Sequence, residues 1–194
     1  MDNIFNDVFS EYTVVGVAFK PKGANAYTLV DGAGQASEEF ERRVVTKAKS
    51  NVVVKRIARA SGSGTLTLSL HMPVDLYNTL QGMLKATAGG VIAGTYALPG
   101  RVKIPPVEIA MEVEDEDGDT KFKYYPAASS SAFSRSVDSE NDTVAEVEMT
   151  FDLSVDQYDN IMYEALADDL PTTGTITKAT WMTAVSSENL QASA

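Results

Sequence analysis

Few residues in this sequence could perform chemistry. The 194 residues include one histidine, His71, and no cysteine, which excludes thiolate metal sites, cysteine nucleophiles and multi-histidine zinc sites. A serine triad would need His71 as its base, yet no G-x-S-x-G elbow occurs, and Met72 and Pro73 follow His71 directly. We interpret His71 as a polar residue at the end of a strand.

An acidic run at residues 114–119, EDEDGD, offers oxygen ligands of the kind that calcium prefers. The spacing differs from an EF-hand, because Gly118 is fifth from Glu114 and two lysines follow at positions 121 and 123. We predict a solvated hairpin tip, with a weak cation site as the alternative. No glycine pattern matches a phosphate-binding loop, so neither a cofactor nor a metal is expected.

Paired carboxylates and the single tryptophan are the remaining candidates. Glu146, Glu148 and Asp152 alternate on one side of a predicted strand, and that open face favours solvation over a catalytic acid, which needs a buried environment. Trp181 is either a ligand platform or, as we expect, a core or interface residue. The sequence therefore predicts a protein that is not an enzyme.

Charge is segregated along the chain. The net charge is −11, from 16 Lys and Arg against 27 Asp and Glu. Residues 108–169 hold eighteen acids and three basic residues. Residues 42–59 hold no acid but seven basic residues, which we call the basic block: Arg42, Arg43, Lys47, Lys49, Lys55, Arg56 and Arg59.

The basic block has two interpretations. It forms either a solvated face or a docking surface for an acidic protein patch. Single-stranded nucleic acid is disfavoured, because the block contains no aromatic residue for stacking. The sequence shows no apolar run of membrane-spanning length, and its first residues are acidic where a signal peptide would be basic, so we expect a soluble protein made in a cytoplasm.

Alternating patterns predict a mainly β fold. Residues 64–70 and 146–153 alternate apolar and polar side chains, as half-buried strands do. Residues 107–125 predict a hairpin with its turn at Asp117-Gly118, in which Glu112 and Glu114 pair with Lys121 and Lys123. Further strands are predicted at residues 12–20, 51–58, 91–98 and 174–185.

Two helices are predicted after strands, 81 residues apart. Asp75 and Asp156 are suitable N-caps, and apolar residues follow each at helical spacing. The similar sequences VDLY and VDQY reflect either an internal repeat or two solutions to one packing problem. Residues 31–51 are interpreted as a long loop between strands, and residues 186–194 as a flexible arm.

Three segments carry a resemblance to a known family: the unit GTLTLSLHMPVDLYNTLQGM, the stretch KFKYYPAASSSAFSRSVDSENDTVAEVEMTFDL and the polar C-terminal end. They resemble a phage major tail protein, the tail tube subunit of long non-contractile, siphovirus-type tails. The resemblance covers about residues 62–170. It implies a tail-tube-like β-sandwich at residues 1–185 with a long loop at about 31–60. The family has one covering helix where this sequence predicts two.

The resemblance also implies self-assembly. Six copies would close into a ring whose strands join in one barrel, and stacked rings would form a tube through which DNA passes without specific binding. The expected partners are further copies, the tape-measure protein and the tail-terminator or tail-tip proteins. The expected location is the virion tail, assembled in the host cytoplasm and without a membrane contact.

Two sets of residues receive roles from this resemblance. The basic block would contact acidic surface on the next ring, and Glu146, Glu148 and Asp152 would line the lumen, where negative charge repels DNA phosphates. Two alternatives remain. One is a carbohydrate-binding β-sandwich that uses Trp181 and tyrosines as platforms. The other is a tube subunit of a phage-derived secretion or bacteriocin particle.

Overall fold

The chain is built almost entirely from β-strands. A computed structural model describes residues 11–31, 34–49, 52–86, 94–101, 103–135 and 147–190. The described strands are β1 (Glu11–Pro21), β2 (Thr28–Asp31), β3 (Gln35–Lys49), β4 (Val52–Leu70), β5 (Leu84–Lys85), β6 (Tyr96–Ala97), β7 (Val107–Asp115), β8 (Thr120–Arg135), β9 (Val147–Ser154) and β10 (Tyr163–Leu166). The described helices are α1 (Val74–Leu80), α2 (Trp181–Ala184) and α3 (Ser187–Leu190), with a 3-10 turn at Ala167–Asp169. The predicted mainly β class is confirmed.

The main sheet folds over into two layers at strand β8. Its antiparallel order is β2-β1-β7-β8-β9-β4-β3, with β10 joined to β8. Residues 120–125 of β8 pair with β7, and residues 121–124 also pair with β10. Ala128 pairs with both β7 and β9, and residues 129–135 pair with β9. Pro126, which has no N–H to donate, lies where the partners change. Layer A therefore contains β2, β1, β7, the first half of β8 and β10, and layer B contains the second half of β8, β9, β4 and β3.

Alternating apolar residues fill the space between the two layers. In β9, for example, Met149, Phe151 and Leu153 are buried while the residues between them are accessible. Phe19 of layer A lies 6.0 Å from Phe151 of layer B, measured between ring centroids. The main members of this core are Val17, Phe19, Ile109, Met111, Tyr125, Leu66, Leu68, Leu70, Met149, Phe151 and Leu153.

The predicted loop at about residues 31–60 is wrong, because strands β3 and β4 pair as a long antiparallel hairpin there. Phe40, Val44 and Ala48 are four residues apart, and this spacing fits one side of a strand as well as one face of a helix. The backbone at Gly34, just before β3, passes close to β4, where a Cβ would clash with the carbonyl oxygen of Ser69.

Only the first of the two predicted helices forms. Helix α1 starts one residue before Asp75, its N-cap position is Pro73, and no side chain caps it. The second prediction is wrong, because the chain turns at Asp156 and then enters β10. The Asp156 carboxylate accepts the N–H groups of Tyr158 (2.8 Å) and Asn160 (3.0 Å). An aspartate followed by free N–H groups suits a turn as well as a helix start, so the local signal is the same.

The turn at residues 156–160 repeats the turn at residues 115–119. In both, an aspartate Oδ1 accepts two later N–H groups, and the aspartate N–H donates to the carbonyl four residues on. Asp159 has φ 65° and Gly118 has φ 87° at corresponding positions. The similar sequences VDLY and VDQY, in contrast, adopt a helix and a turn. The recurring unit is therefore a turn built on an aspartate: at residues 115–119 it closes the β7–β8 hairpin, and at residues 156–160 it lies between β9 and β10, which pairs with β8.

The C-terminal segment covers the outer face of layer A. Residues 174–185 form a turn and helix α2, so the strand predicted there is wrong. Ala18 and Ala110 leave room for α2, and the indole of Trp181 stacks on Phe122 with centroids 5.6 Å apart. Helix α3 packs its Ser187 against the body, so residues 187–190 differ from the predicted flexible arm; residues 191–194 lie outside the described chain.

A polar cluster around Glu108 attaches this segment to the sheet. Its carboxylate accepts from Lys20 Nζ (3.1 Å), Tyr27 OH (2.9 Å) and Tyr124 OH (3.0 Å). The Tyr27 hydroxyl also lies 2.8 Å from the carbonyl oxygen of Val185. Burial, reinforced by the Glu108 charge, raises the pKa of Tyr27 and Tyr124 well above the ordinary tyrosine value. Both hydroxyls therefore stay protonated and available as donors.

Truncation of Trp181 tests the contribution of the C-terminal segment. We expect Trp181→Ala to lower the free energy of unfolding by about 3–5 kcal/mol, because a buried indole leaves a large cavity. Trp181→Phe should lose much less, since the indole N–H has no acceptor among the described residues. Urea denaturation followed by circular dichroism measures both. A loss below about 1 kcal/mol for Trp181→Ala would contradict the role of this residue as an anchor.

Candidate functional site

The outward side of layer B is polar, hydroxyl-rich and acidic. Strand register places its residues in three rows that run across β3, β4, β9 and β8. We call this the polar face, and its rows are Gln35, Ser69, Glu148 and Ser134; Ser37, Thr67, Thr150 and Ala132; and Glu39, Thr65, Asp152 and Ser129. None of these twelve residues is basic.

Two of the three acids predicted to line a lumen lie on the polar face. Glu148 and Asp152 are exposed on β9, on either side of Thr150, whose hydroxyl oxygen lies 3.2 Å from that of Thr67. Glu146 lies outside the described residues. The acidic surface extends across the sheet through Glu39 of β3, which the sequence analysis did not assign. The signal that would have assigned Glu39 is the alternation of exposed and partly buried side chains along residues 35–40, which is typical of a strand and not of the predicted loop.

Layer B has an open edge on each side. Strand β3 pairs with β4 alone, and residues 129–135 of β8 pair with β9 alone, among the described strands. Every neighbouring pair within the layer is antiparallel, so β3 and this part of β8 run in opposite directions. Free backbone N–H and C=O groups at such edges are templates for pairing with another chain.

The β3–β4 hairpin continues beyond the body as a two-stranded arm. Strand β9 leaves β4 at Ser63, whereas β3 and β4 go on pairing through residues 42–49 and 52–60. Nine strand residues span about 30 Å. At the base of the arm, Ser61 and Ser63 donate to the Glu41 carboxylate at 3.3 and 2.8 Å. Two-stranded ribbons of this kind are marginally stable alone.

The arm carries the whole basic block. Register places Arg43 opposite Arg59 and Lys47 opposite Lys55, and Arg42 opposite Ala60. Like charges in directly opposite positions destabilise a ladder. Lys49 and Arg56 occupy further positions of the same two strands. The backbone thus brings together seven cations that the linear sequence distributes over eighteen positions, 42–59.

The other candidate chemical groups serve the fold. The Asp115 carboxylate is buried and accepts the N–H groups of Asp117 (3.0 Å) and Asp119 (2.8 Å), which makes the acidic run a structured hairpin tip. No group of three or more potential metal ligands occurs within the described ranges. Trp181 is 1% exposed, so it does not offer a face to a sugar. None of the described helices is long and apolar enough to cross a membrane.

The predicted ladder pairs of Glu112 and Glu114 with Lys121 and Lys123 are wrong. Register sets Met111 opposite Lys123 and Val113 opposite Lys121, so the two glutamates lie on the other side of layer A. A shift of one residue moves a side chain to the opposite face of a sheet. The lysines pair with other acids: Lys121 with Glu11 and Glu164, and Lys123 with Glu11 and Glu38.

Comparisons with solved structures find distant structural similarity. No protein-family model matches the sequence, and no curated protein matches it significantly. A chain from the anti-feeding prophage (AFP) baseplate is 12% identical over 85% of this chain and 97% of its own, with a TM-score of 0.47. One from the PVC sheath–tube complex of an extracellular contractile injection system in the extended state is 10% identical over 78% and 89%, with a TM-score of 0.46.

A third chain, from the anti-feeding prophage cap (AFP tube terminating cap), is 10% identical over 86% of this chain and 99% of its own, with a TM-score of 0.47. Identities and TM-scores of this size are too low to transfer a function to this chain. Its function has to be inferred from its own surfaces.

Proposed function

We propose that this chain is a structural subunit that polymerises into stacked rings, forming a tube of the phage-tail type. The observation that carries the proposal is the pair of open, oppositely directed edges of layer B. Copies related by rotation about an axis along the strands would place β3 of one copy beside β8 of the next, in antiparallel orientation. Ring closure would pair the exposed backbone groups and remove free edges from the layer.

Four strands per copy make this joining repeatable. An even number of alternating strands preserves antiparallel pairing at every junction, whatever the number of copies. The resulting barrel would have the polar face on one side and the sandwich core on the other. The family resemblance suggests six copies and a tail with tape-measure, terminator and tip proteins as partners. A tube of a phage-derived secretion or bacteriocin particle would use the same contacts.

The polar face is proposed to line the lumen. Its carboxylates, Glu39, Glu148 and Asp152, lie among hydroxyl groups. Glu146 lies outside the described residues and is included in the proposal on the sequence pattern alone. Negative charge repels the phosphates of a passing duplex, so DNA would travel without binding. Hydroxyl groups keep the wall hydrated.

The arm is proposed to make the axial contact between rings. It extends past the body along the strand direction and carries Arg42, Arg43, Lys47, Lys49, Lys55, Arg56 and Arg59. Because opposed cations destabilise the free ribbon, acidic surface on the next copy would stabilise it. The chain has such surface in excess, with a net charge of −11.

Disulfide cross-linking tests the ring contact, because the chain contains no cysteine of its own. We expect Ser37→Cys with Ala132→Cys to give a ladder of covalent multimers on oxidation. Within one chain these positions are separated by β4 and β9, roughly 14 Å of strand spacing, too far for a disulfide. Ser129→Cys and Ser134→Cys replace Ala132→Cys to sample shifted registers. Ser37→Cys with Glu164→Cys, on the exposed β10 edge of layer A, is the control.

Negative-stain microscopy and light scattering at rising protein concentration accompany that experiment. Rings or tubes of uniform diameter are expected. A strict monomer with no ladder at any of the three registers, even with a tail-tip or tape-measure partner added, would refute the assembly.

Charge reversal in the arm tests the axial contact. Lys47→Glu with Lys55→Glu keeps a like-charge pair at one register position but reverses its sign. We expect rings to form and tube elongation to be abolished, since juxtaposed like charges cost several kcal/mol at an interface. Lys22→Glu with Lys178→Glu makes the same net change at exposed sites outside the arm, and should elongate as wild type does. Normal elongation of the arm variant would refute the axial role.

Lysine substitution on the polar face tests the lumen. We expect tubes of Glu148→Lys with Asp152→Lys to retain double-stranded DNA at low salt, and particles built from them to lose infectivity. Glu164→Lys with Glu188→Lys, exposed acids away from the polar face, is the matched control. Unchanged DNA passage and infectivity in the first variant would contradict the lumen assignment.

A further inference from the structure

A buried lysine lies between the two layers. The Lys123 side chain, on β8, is 4% exposed, and its ammonium lies 2.7 Å from the Glu11 carboxylate and 2.6 Å from that of Glu38. Glu11 belongs to β1 in layer A, and Glu38 belongs to β3 in layer B. We call Lys123, Glu11 and Glu38 the Lys123 cluster. One cation therefore connects strands of both layers.

The surroundings of the Lys123 cluster contain few other charges. Lys121 of β8 lies 3.5 Å from Glu11 and 4.0 Å from Glu164 of β10. Tyr125 is fully buried nearby, and desolvation, with the Glu38 charge in addition, raises its pKa well above the ordinary value, so it stays neutral. The charge balance at Lys123 thus depends on Glu11 and Glu38.

The Lys123 cluster adds a polar contact to the base of β3, where Ala36 and Phe40 pack partly buried against the core. Strand β3 is hydrogen-bonded on one side only, to β4. The ion pair of Lys123 with Glu38, at 2.6 Å, connects β3 to layer A. A buried ammonium is tolerated only while it is paired, so loss of the carboxylate charges makes this arrangement unfavourable.

We propose that Lys123 is a positioning residue that holds the base of β3 against layer A, and that loss of carboxylate charge around its buried ammonium in acid, that of Glu11 included, releases β3 before the rest of the fold is lost. The release is a property of the single chain. Its consequence, that acid withdraws the edge used for ring closure, rests on the proposed function.

The sign of the pH dependence follows from the two charged partners. Burial raises the pKa of Glu11, but the hydrogen bond and charge of Lys123 outweigh it, so the pKa lies below the ordinary value. This carboxylate therefore stabilises the fold above its unfolded pKa, and the contribution is lost as pH falls through the folded pKa. For Lys123, burial lowers the pKa but Glu11 and Glu38 raise it more, so its contribution is lost only at strongly alkaline pH.

Hydrogen exchange measured on the full chain, at concentrations below assembly, tests the proposal. Protection factors of residues 35–41 are compared with those of residues 109–113 in β7, from neutral pH to about pH 2.5, which passes below ordinary carboxyl pKa values. In the wild type, protection at residues 35–41 should fall at a higher pH than in β7. Glu38→Gln should lower it about tenfold or more already at neutral pH, the effect of losing one charge-assisted hydrogen bond.

Two further variants make the result decisive. Glu164→Gln removes a carboxylate that is 4.0 Å from Lys121 and 49% exposed, and should behave as the wild type does. Lys123→Met replaces the ammonium with an apolar side chain of similar length, and should abolish the separate acid step at residues 35–41. The proposal is overturned if β3 and β7 lose protection together in the wild type, or if Lys123→Met keeps the acid step.

Light scattering separates this inference from the proposed function. Acid release of β3 in a protein that never assembles would uphold the positioning role of Lys123 and refute the ring. Assembly at neutral pH without an acid step at β3 would uphold the ring and refute the positioning role of Lys123.

Discussion

The rest of the structure depends on one constraint: each edge strand of layer B is hydrogen-bonded on one side only, among the described strands. Strand β8 turns over at Pro126, so its second half has β9 on one side and no described strand on the other. Strand β3 ends the layer in the same way. Among the described strands, β3 and β8 of one chain cannot pair with each other, because closing layer B into a barrel would require more strands than it contains. The open edges therefore favour joining of copies.

Layer A supplies the rigidity that such edges need. Its central strands are buried on both faces: the inner face meets layer B, and the outer face meets helix α2 and Trp181. The Glu108 cluster and the Lys123 cluster use buried polar groups to set where the C-terminal segment and β3 lie. Buried polar groups are costly when unpaired, so they restrict the arrangements that the chain can adopt. Layer B, in contrast, has one apolar and one polar face.

Electrostatics divides the surface along the strands. The acids of the polar face lie within layer B, on β3 and β9, whereas the cations lie farther along β3 and β4, in the arm. Strand alternation separates Glu38 from Glu39, so that one carboxylate pairs with Lys123 inside the sandwich and the next faces outward. Neighbouring residues thus serve the fold and the surface at the same time.

The sequence alone determined the β class, the strand character of residues 64–70 and 147–153, and the hairpin with its Asp117-Gly118 turn. It also determined the outward position of Glu148 and Asp152, because period-two patterning and turn chemistry are local. Only the tertiary structure decided the strand character of residues 35–49, the turn at Asp156 and the pairing of Lys123. Spacing of four residues fits helix and strand alike, and an aspartate before free N–H groups fits either a helix start or a turn. The side chain of Lys123 lies between the two layers because of strand register and because Glu11 and Glu38, distant in sequence, pair with it. Neither condition can be read from the local sequence.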